Sequence, residues 1–177
     1  PARWREVVLL AGAKAATGAK ANVWSLAEAL YWRTSTSERS LEEAWGAQLA
    51  GQLLAESADL ETVAPANRAK LEQVRGGLVE LLRDSRLPAL ERALAGGSLA
   101  RLGDPRPEVT TVDGMEFCAV PAGKFRMGTE EGDKRGYEDE RPAHDCELPY
   151  EYQMGRYPVT VAQLGEYVVA GGKEPEN

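Results

Sequence analysis

Few side chains in this chain have the type and spacing to carry chemistry. There are two cysteines, Cys118 and Cys146, and one histidine, His144. Two cysteines make neither a disulfide scaffold nor a four-cysteine zinc site. A Ser-His-Asp arrangement would have to use His144, and His144 sits beside an acidic stretch with no nucleophile motif near it. The carboxylates of Glu130-Glu131-Gly132-Asp133 and Glu138-Asp139-Glu140 could suggest a cation loop. Calcium loops of the EF-hand kind place ligands at every second position, and these do not. A solvated acidic loop is expected, with Arg141 paired to a neighbouring carboxylate and Pro142 fixing the loop exit. The string Gly12-Ala-Lys-Ala-Ala-Thr-Gly18-Ala-Lys20 imitates a phosphate loop. That loop needs Gly, four residues, then Gly-Lys-Ser/Thr. Here five residues separate the glycines, Ala19 displaces the lysine and Ala21 follows it, so a helix-to-helix connection is expected. No catalytic, cofactor-binding or metal-binding residue is therefore assigned, and no cofactor is expected in this segment.

The elements that would position these groups fall into two kinds. Residues 1–103 hold 13 Lys and Arg against 12 Asp and Glu; residues 104–177 hold 8 against 16. Such an acidic second half repels phosphate backbones, so no nucleic-acid partner is expected. The longest apolar run, Val7 to Ala13, falls well short of the roughly 18 residues of a membrane span. No basic leader with a cleavage site opens the chain, so a cytoplasmic protein without membrane attachment is expected. Pro1 in place of Met suits a fragment or a processed piece.

Residues 1–103 read as a helical domain, a bundle or a piece of an α-solenoid. Trp4 to Ala16 places Trp4, Val7, Val8 and Leu10-Ala11 at helical spacing, and Gly18 breaks it. Ser25-Leu-Ala-Glu28 and Ser40-Leu-Glu-Glu43 both have the form of a capping box, opening helices from Leu26 to Trp32 and from Leu41 to about Glu56. The second of these carries the stripe Leu41, Ala44, Trp45, Gln48-Leu49 and Leu53. Pro65 starts a helix with the stripe Leu71, Val74, Leu78, Leu81-Leu82, and Pro88 starts another over Ala89 to Ala95 that Gly96-Gly97 threatens to interrupt. Trp4, Trp24, Trp32 and Trp45 are expected in the helical core. Residues 104–108, with two prolines, read as a linker.

From residue 109 to residue 177 the period changes from 3.6 to 2. Val109 to Val112 reads as a short strand, Asp113-Gly114 as a hairpin turn, and Met115 to Val120 as a strand with Phe117 and Ala119 on one face. Lys124 to Met127, Cys146 to Leu148 and Tyr150 to Met154 are further strands. Thr160-Val-Ala-Gln163 is a third capping box, opening a helix to about Ala170 that Gly171-Gly172 ends. Cys118 and Cys146 are expected as small apolar strand residues or as a disulfide between neighbouring strands.

Three segments of this half, Phe117-Cys-Ala-Val-Pro-Ala-Gly-Lys-Phe-Arg-Met-Gly128, Asp139-Glu-Arg-Pro142 with His144, and Tyr152-Gln-Met-Gly-Arg-Tyr-Pro-Val-Thr160, carry a resemblance. In order and spacing they resemble the opening of the formylglycine-generating-enzyme (sulfatase-modifying-factor) domain family. The resemblance implies the start of a domain with a C-type-lectin-like fold, which after the all-α N-terminal domain makes the expected fold class α+β. It implies that the catalytic cysteine pair of the copper-dependent members, and the calcium ligands, would lie past Asn177. A ligand-binding surface would lie there too. Trp4 to Leu10 and Leu102-Gly-Asp-Pro-Arg-Pro107 resemble the helical tail of NACHT-type signalling ATPases, which implies an upstream NTPase module. Together these imply a non-enzymatic recognition or sensor protein for a protein or small ligand, with a scaffold of the kind diversified by retroelements as a variable protein. The alternatives are a copper-dependent formylglycine-generating oxidase and a protein–protein adaptor.

Overall fold

A computed structural model describes residues 2–31 and 39–173, with side chains from Trp4 onward. The chain divides into two compact units, Pro1–Pro105 and Arg106–Asn177. The architecture is α+β, with helices alone in the first unit and small antiparallel sheets in the second. No helix among the described residues is long and apolar enough to cross a membrane.

The first unit holds α1 (Ala2–Thr17), α2 (Ala21–Leu30), α3 (Leu41–Ser57), α4 (Pro65–Arg83) and α5 (Ala89–Leu102). Helix α3 packs against all four others. For that reason it is buried almost all round between Glu43 and Leu54 rather than along one stripe, and Leu41 at its start is exposed. Small side chains let the neighbours come close. A Cβ on Gly12 of α1 would lie 2.0 Å from Leu53 Cδ1, and one on Gly51 would lie 2.7 Å from Leu78 Cδ1. Gly12 is thus a packing notch, consistent with the rejected phosphate loop. It also rotates α1: Val8, Ala15 and Ala16 face the core, while Trp4 (65% exposed), Val7 and Leu10 face solvent. Trp24 is buried and Trp45 packs half-buried against the core, so the expected tryptophan core holds for these two and fails for Trp4. Trp32 lies outside the described residues.

Charged groups tie the helices at their margins. Arg5 of α1 pairs with the buried Glu91 of α5. Arg39 is buried, donates to Glu80 at 2.9 Å and to the Tyr31 hydroxyl at 2.6 Å, and lies over the Tyr31 ring. Arg75 donates through Nε to the Leu102 carbonyl at 2.7 Å, satisfying an orphan acceptor at the end of α5. Gly96-Gly97 do not interrupt α5, because Ala95, Ser98 and Leu99 around them are buried against the bundle.

The two serine boxes part company. Ser40 and Glu43 form the reciprocal box, with Glu43 N–H donating to Ser40 Oγ at 3.2 Å and Ser40 N–H donating to Glu43 Oε2 at 2.7 Å. Ser25 instead lies inside α2, which already starts at Ala21, and its hydroxyl donates back to the Ala21 carbonyl at 3.4 Å. Ser40→Ala should therefore cost about 1 kcal/mol, the usual value of a helix N-cap. Ser25→Ala should cost nothing measurable. Urea denaturation of the two variants checks this, and equal losses would contradict the assignment.

The second unit holds α6 (Pro107–Thr110), β1 (Phe117–Val120), β2 (Gly123–Met127), a 3-10 turn at Glu138–Glu140, β3 (His144–Leu148), β4 (Tyr152–Gly155) and α7 (Val161–Val169). The expected strand over Val109 to Val112 is replaced by the α6 turn, which overlaps the expected linker. Pro107 pre-sets a helical φ, and the hydroxyls of Thr110 and Thr111 donate back to the Arg106 and Pro107 carbonyls. Asp113-Gly114 makes a turn closed by Met115 N–H to Val112 O at 3.2 Å, but it leads from α6 into β1 rather than joining two paired strands. The strands pair as β1 with β4 and β2 with β3, both antiparallel. Helix α7 carries the expected capping box at Thr160 and Gln163, and Gly171 takes the left-handed φ of +97° just beyond it.

Candidate functional site

The β2–β3 ladder sets Gly123 opposite Leu148, Phe125 opposite Cys146 and Met127 opposite His144. Alternation along each strand therefore gathers Phe125, Met127, His144, Cys146 and Leu148 on one face. The other face carries Lys124, Arg126, Asp145 and Glu147. Arg126 bridges Glu130 at 2.8 Å and Asp145, its register partner, at 3.1 Å. Hydrogen bonds to Glu130 first, and then to Asp145, hold its guanidinium above the ordinary arginine range.

Between β2 and β3 the acidic loop folds back on itself. Thr129 N–H donates to the Glu140 carbonyl at 2.9 Å, and the Thr129 hydroxyl donates to the Glu140 carboxylate at 2.6 Å. Gly128, with φ +89°, lets the loop close: a Cβ there would meet the Glu140 carbonyl at 2.4 Å. Arg141 does not pair with a carboxylate as expected. Its guanidinium donates to the carbonyls of Asp133 and Gly136 and so staples the loop backbone. A cleft of about 360 Å³ opens at this base, lined by Met127, Gly128, Glu140, Arg141, Pro142 and His144 among others. His144 Nδ1 lies 3.0 Å from the Pro142 carbonyl oxygen. A carbonyl can only accept, so Nδ1 donates, and in the neutral ring Nε2 then carries the lone pair. Among the described residues no three or more His, Cys, Asp or Glu side chains cluster in a way that could hold a metal ion.

The alternative of a disulfide between the two cysteines is not realised. Cys118 and Cys146 are both free, in β1 and β3, which belong to different sheets. Neither is packed away as a small apolar residue: Cys118 is exposed and Cys146 half-buried. Sequence reading also missed a contact, Cys146 Sγ to Met127 Sδ at 3.7 Å. It depends on the register of β2 against β3, which no local pattern discloses.

The β1–β4 ladder sets Cys118 opposite Met154 and Val120 opposite Tyr152. Arg156 follows β4, bridges Glu116 at 3.0 Å and lies over the Tyr157 ring. Its charge is held above the ordinary range, by Tyr157 first and then by Glu116. The second unit hides little. Phe117, Phe125, Tyr137, Tyr150, Tyr157 and Tyr167 are each 40% or more exposed. Gln163, at 3% exposure, is its single buried residue among those described.

Residues 101–177 match the family model for the sulfatase-modifying factor enzyme 1-like domain. No curated protein and no solved structure gave a match. The family match places a domain of this kind in the second half of the chain, over the segments that carry the resemblance.

Proposed function

We propose that the sulfatase-modifying-factor-type domain of this chain works as a recognition domain rather than as an oxidase. The observation that carries this reading is the solvent-facing aromatic set of the second unit, Phe117, Phe125, Tyr137, Tyr150, Tyr157 and Tyr167, each 40% or more exposed, which would add to the binding surface expected past Asn177. Aromatic side chains supply large, stiff contact area with a polar tip, and they are enriched where proteins bind other molecules. Family membership by itself leaves the question open, because a fold hosts many functions. In its fuller form the proposal has a lectin-like scaffold with a surface diversified between sister copies, and a helical unit that couples it to an upstream NTPase. The expected partner is a protein or a small ligand.

The test is photo-crosslinking from an unnatural side chain placed in turn at Tyr137, Tyr150 and Tyr157, with Trp4 in the helical unit as the comparison. The reading expects adducts from the tyrosine positions that vanish when the other two tyrosines are replaced by serine. Adducts from Trp4 alone would favour an adaptor role for the helices and sink the recognition reading.

A further inference from the structure

We propose that Met127, Cys146 and His144 form a binding site for a soft monovalent metal ion, Cu(I) or its surrogate Ag(I). Three observations on one sheet face support it. First, Cys146 Sγ and Met127 Sδ stand 3.7 Å apart. Two sulfurs bound to one d¹⁰ ion at about 2.3 Å, with angles between tetrahedral and trigonal, lie roughly 3.8–4.0 Å apart. The pair is therefore already set at nearly the ligating separation. Second, His144 is the register partner of Met127 and stands two residues before Cys146 on the same strand face. Directly opposed side chains start about 5 Å apart, within reach of a shared ion. Third, Nδ1 of His144 is engaged with the Pro142 carbonyl at 3.0 Å, leaving Nε2 as the lone-pair nitrogen. Metal-ligating histidines use this backbone anchor to fix tautomer and ring orientation.

The chemistry of the set narrows the ion. Thiolate and imidazole suit Cu(I) and Zn(II) alike, but Zn(II) takes Cys, His, Asp and Glu, so the thioether favours Cu(I); Mg, Ca and Mn ions prefer oxygen. The nearby carboxylates are engaged elsewhere: Glu130 and Asp145 with Arg126, Glu140 with Thr129. Binding needs no redox step. The ion adds to the Cys146 sulfur as the thiol proton leaves to solvent, and the sulfur of Met127 and Nε2 of His144 donate lone pairs. The site does not depend on the recognition reading and uses one cysteine, not a pair.

The experiment is anaerobic titration of the whole chain with Cu(I) against a chromogenic Cu(I) chelator, repeated with Ag(I) while following the Met127 methyl and His144 ring resonances. One equivalent should bind, with both resonances shifting. Cys146→Ser and Met127→Leu should each weaken binding at least tenfold, and His144→Gln by about tenfold. Cys118→Ser should leave it unchanged. Circular dichroism of each variant separates loss of the site from loss of the fold. No binding against the chelator, loss in Cys118→Ser rather than Cys146→Ser, or indifference to Met127→Leu in a folded protein would each overturn the proposal.

Discussion

Replacing Leu53 with alanine should lower the stability of the helical unit by about 2–5 kcal/mol, the range for a fully buried leucine. Leu53 has no exposed surface and sits on α3, the helix that every other helix of the unit packs against. Its Cδ1 occupies the notch that Gly12 leaves on α1, 2.0 Å from where a Cβ would stand. The loss should fall toward the upper end, because the surroundings can collapse little. Gly12 has no side chain to move in, and Ala47 and Ala50 on the same helix are short. Gly12→Ala provides the converse: an added methyl must push Leu53 aside, at a cost of about 1–3 kcal/mol. Urea denaturation followed by tryptophan fluorescence reads both, since Trp24 is buried in the unit and Trp45 half-buried. A loss below about 1 kcal/mol for Leu53→Ala would contradict the placement of α1 on α3.

The second unit should depend just as heavily on Gln163. Its amide nitrogen donates to the carbonyls of Glu108 and Thr111, both at 3.1 Å, and its amide oxygen accepts from Thr160 N–H at 3.0 Å. Thr160 completes the clasp, its hydroxyl donating to the Val109 carbonyl at 2.8 Å. One side chain therefore caps α7 and holds α6 against it. Gln163→Leu removes all three hydrogen bonds and leaves carbonyls of α6 without their donors, so it should destabilise this unit by about 2–4 kcal/mol. Gln163→Glu keeps the acceptor for Thr160 and loses the donors, and most of the loss should remain. Amide hydrogen exchange localises the effect: protection should fall in α6 and α7 while α3 keeps its own. Unchanged exchange at α7 in Gln163→Leu would show that the clasp contributes nothing.

Local signals read well wherever a few neighbouring residues decide the outcome. The boxes at Ser40 and Thr160, the proline start of α4, and the glycine end of α7 all appear in the structure as read. Ser25 shows the limit of such signals, because a serine three residues before a glutamate has the same form inside a helix as at its start. Four strands were legible as strands, a fifth expected over Val109 to Val112 is the α6 turn, and the partners of the four were not legible. β1 and β2 are close neighbours in the chain, yet β1 pairs with β4 across an intervening ladder. Pairing of that range is settled by which faces meet, not by nearness in the chain. The candidate site followed the same rule: His144, Cys146 and Met127 acquire a common face only once β2 and β3 are in register. Nor could sequence show that Arg141 would bind backbone carbonyls instead of the carboxylates around it.

The central claim, recognition without oxidation, meets its most direct test in a peptide assay. The protein, loaded with Cu(I) and supplied with oxygen, is incubated with cysteine-containing peptides, and aldehyde formation is followed by mass spectrometry. The account predicts no aldehyde above the level of copper and peptide alone. Multiple turnovers above that level would contradict it and establish an oxidase.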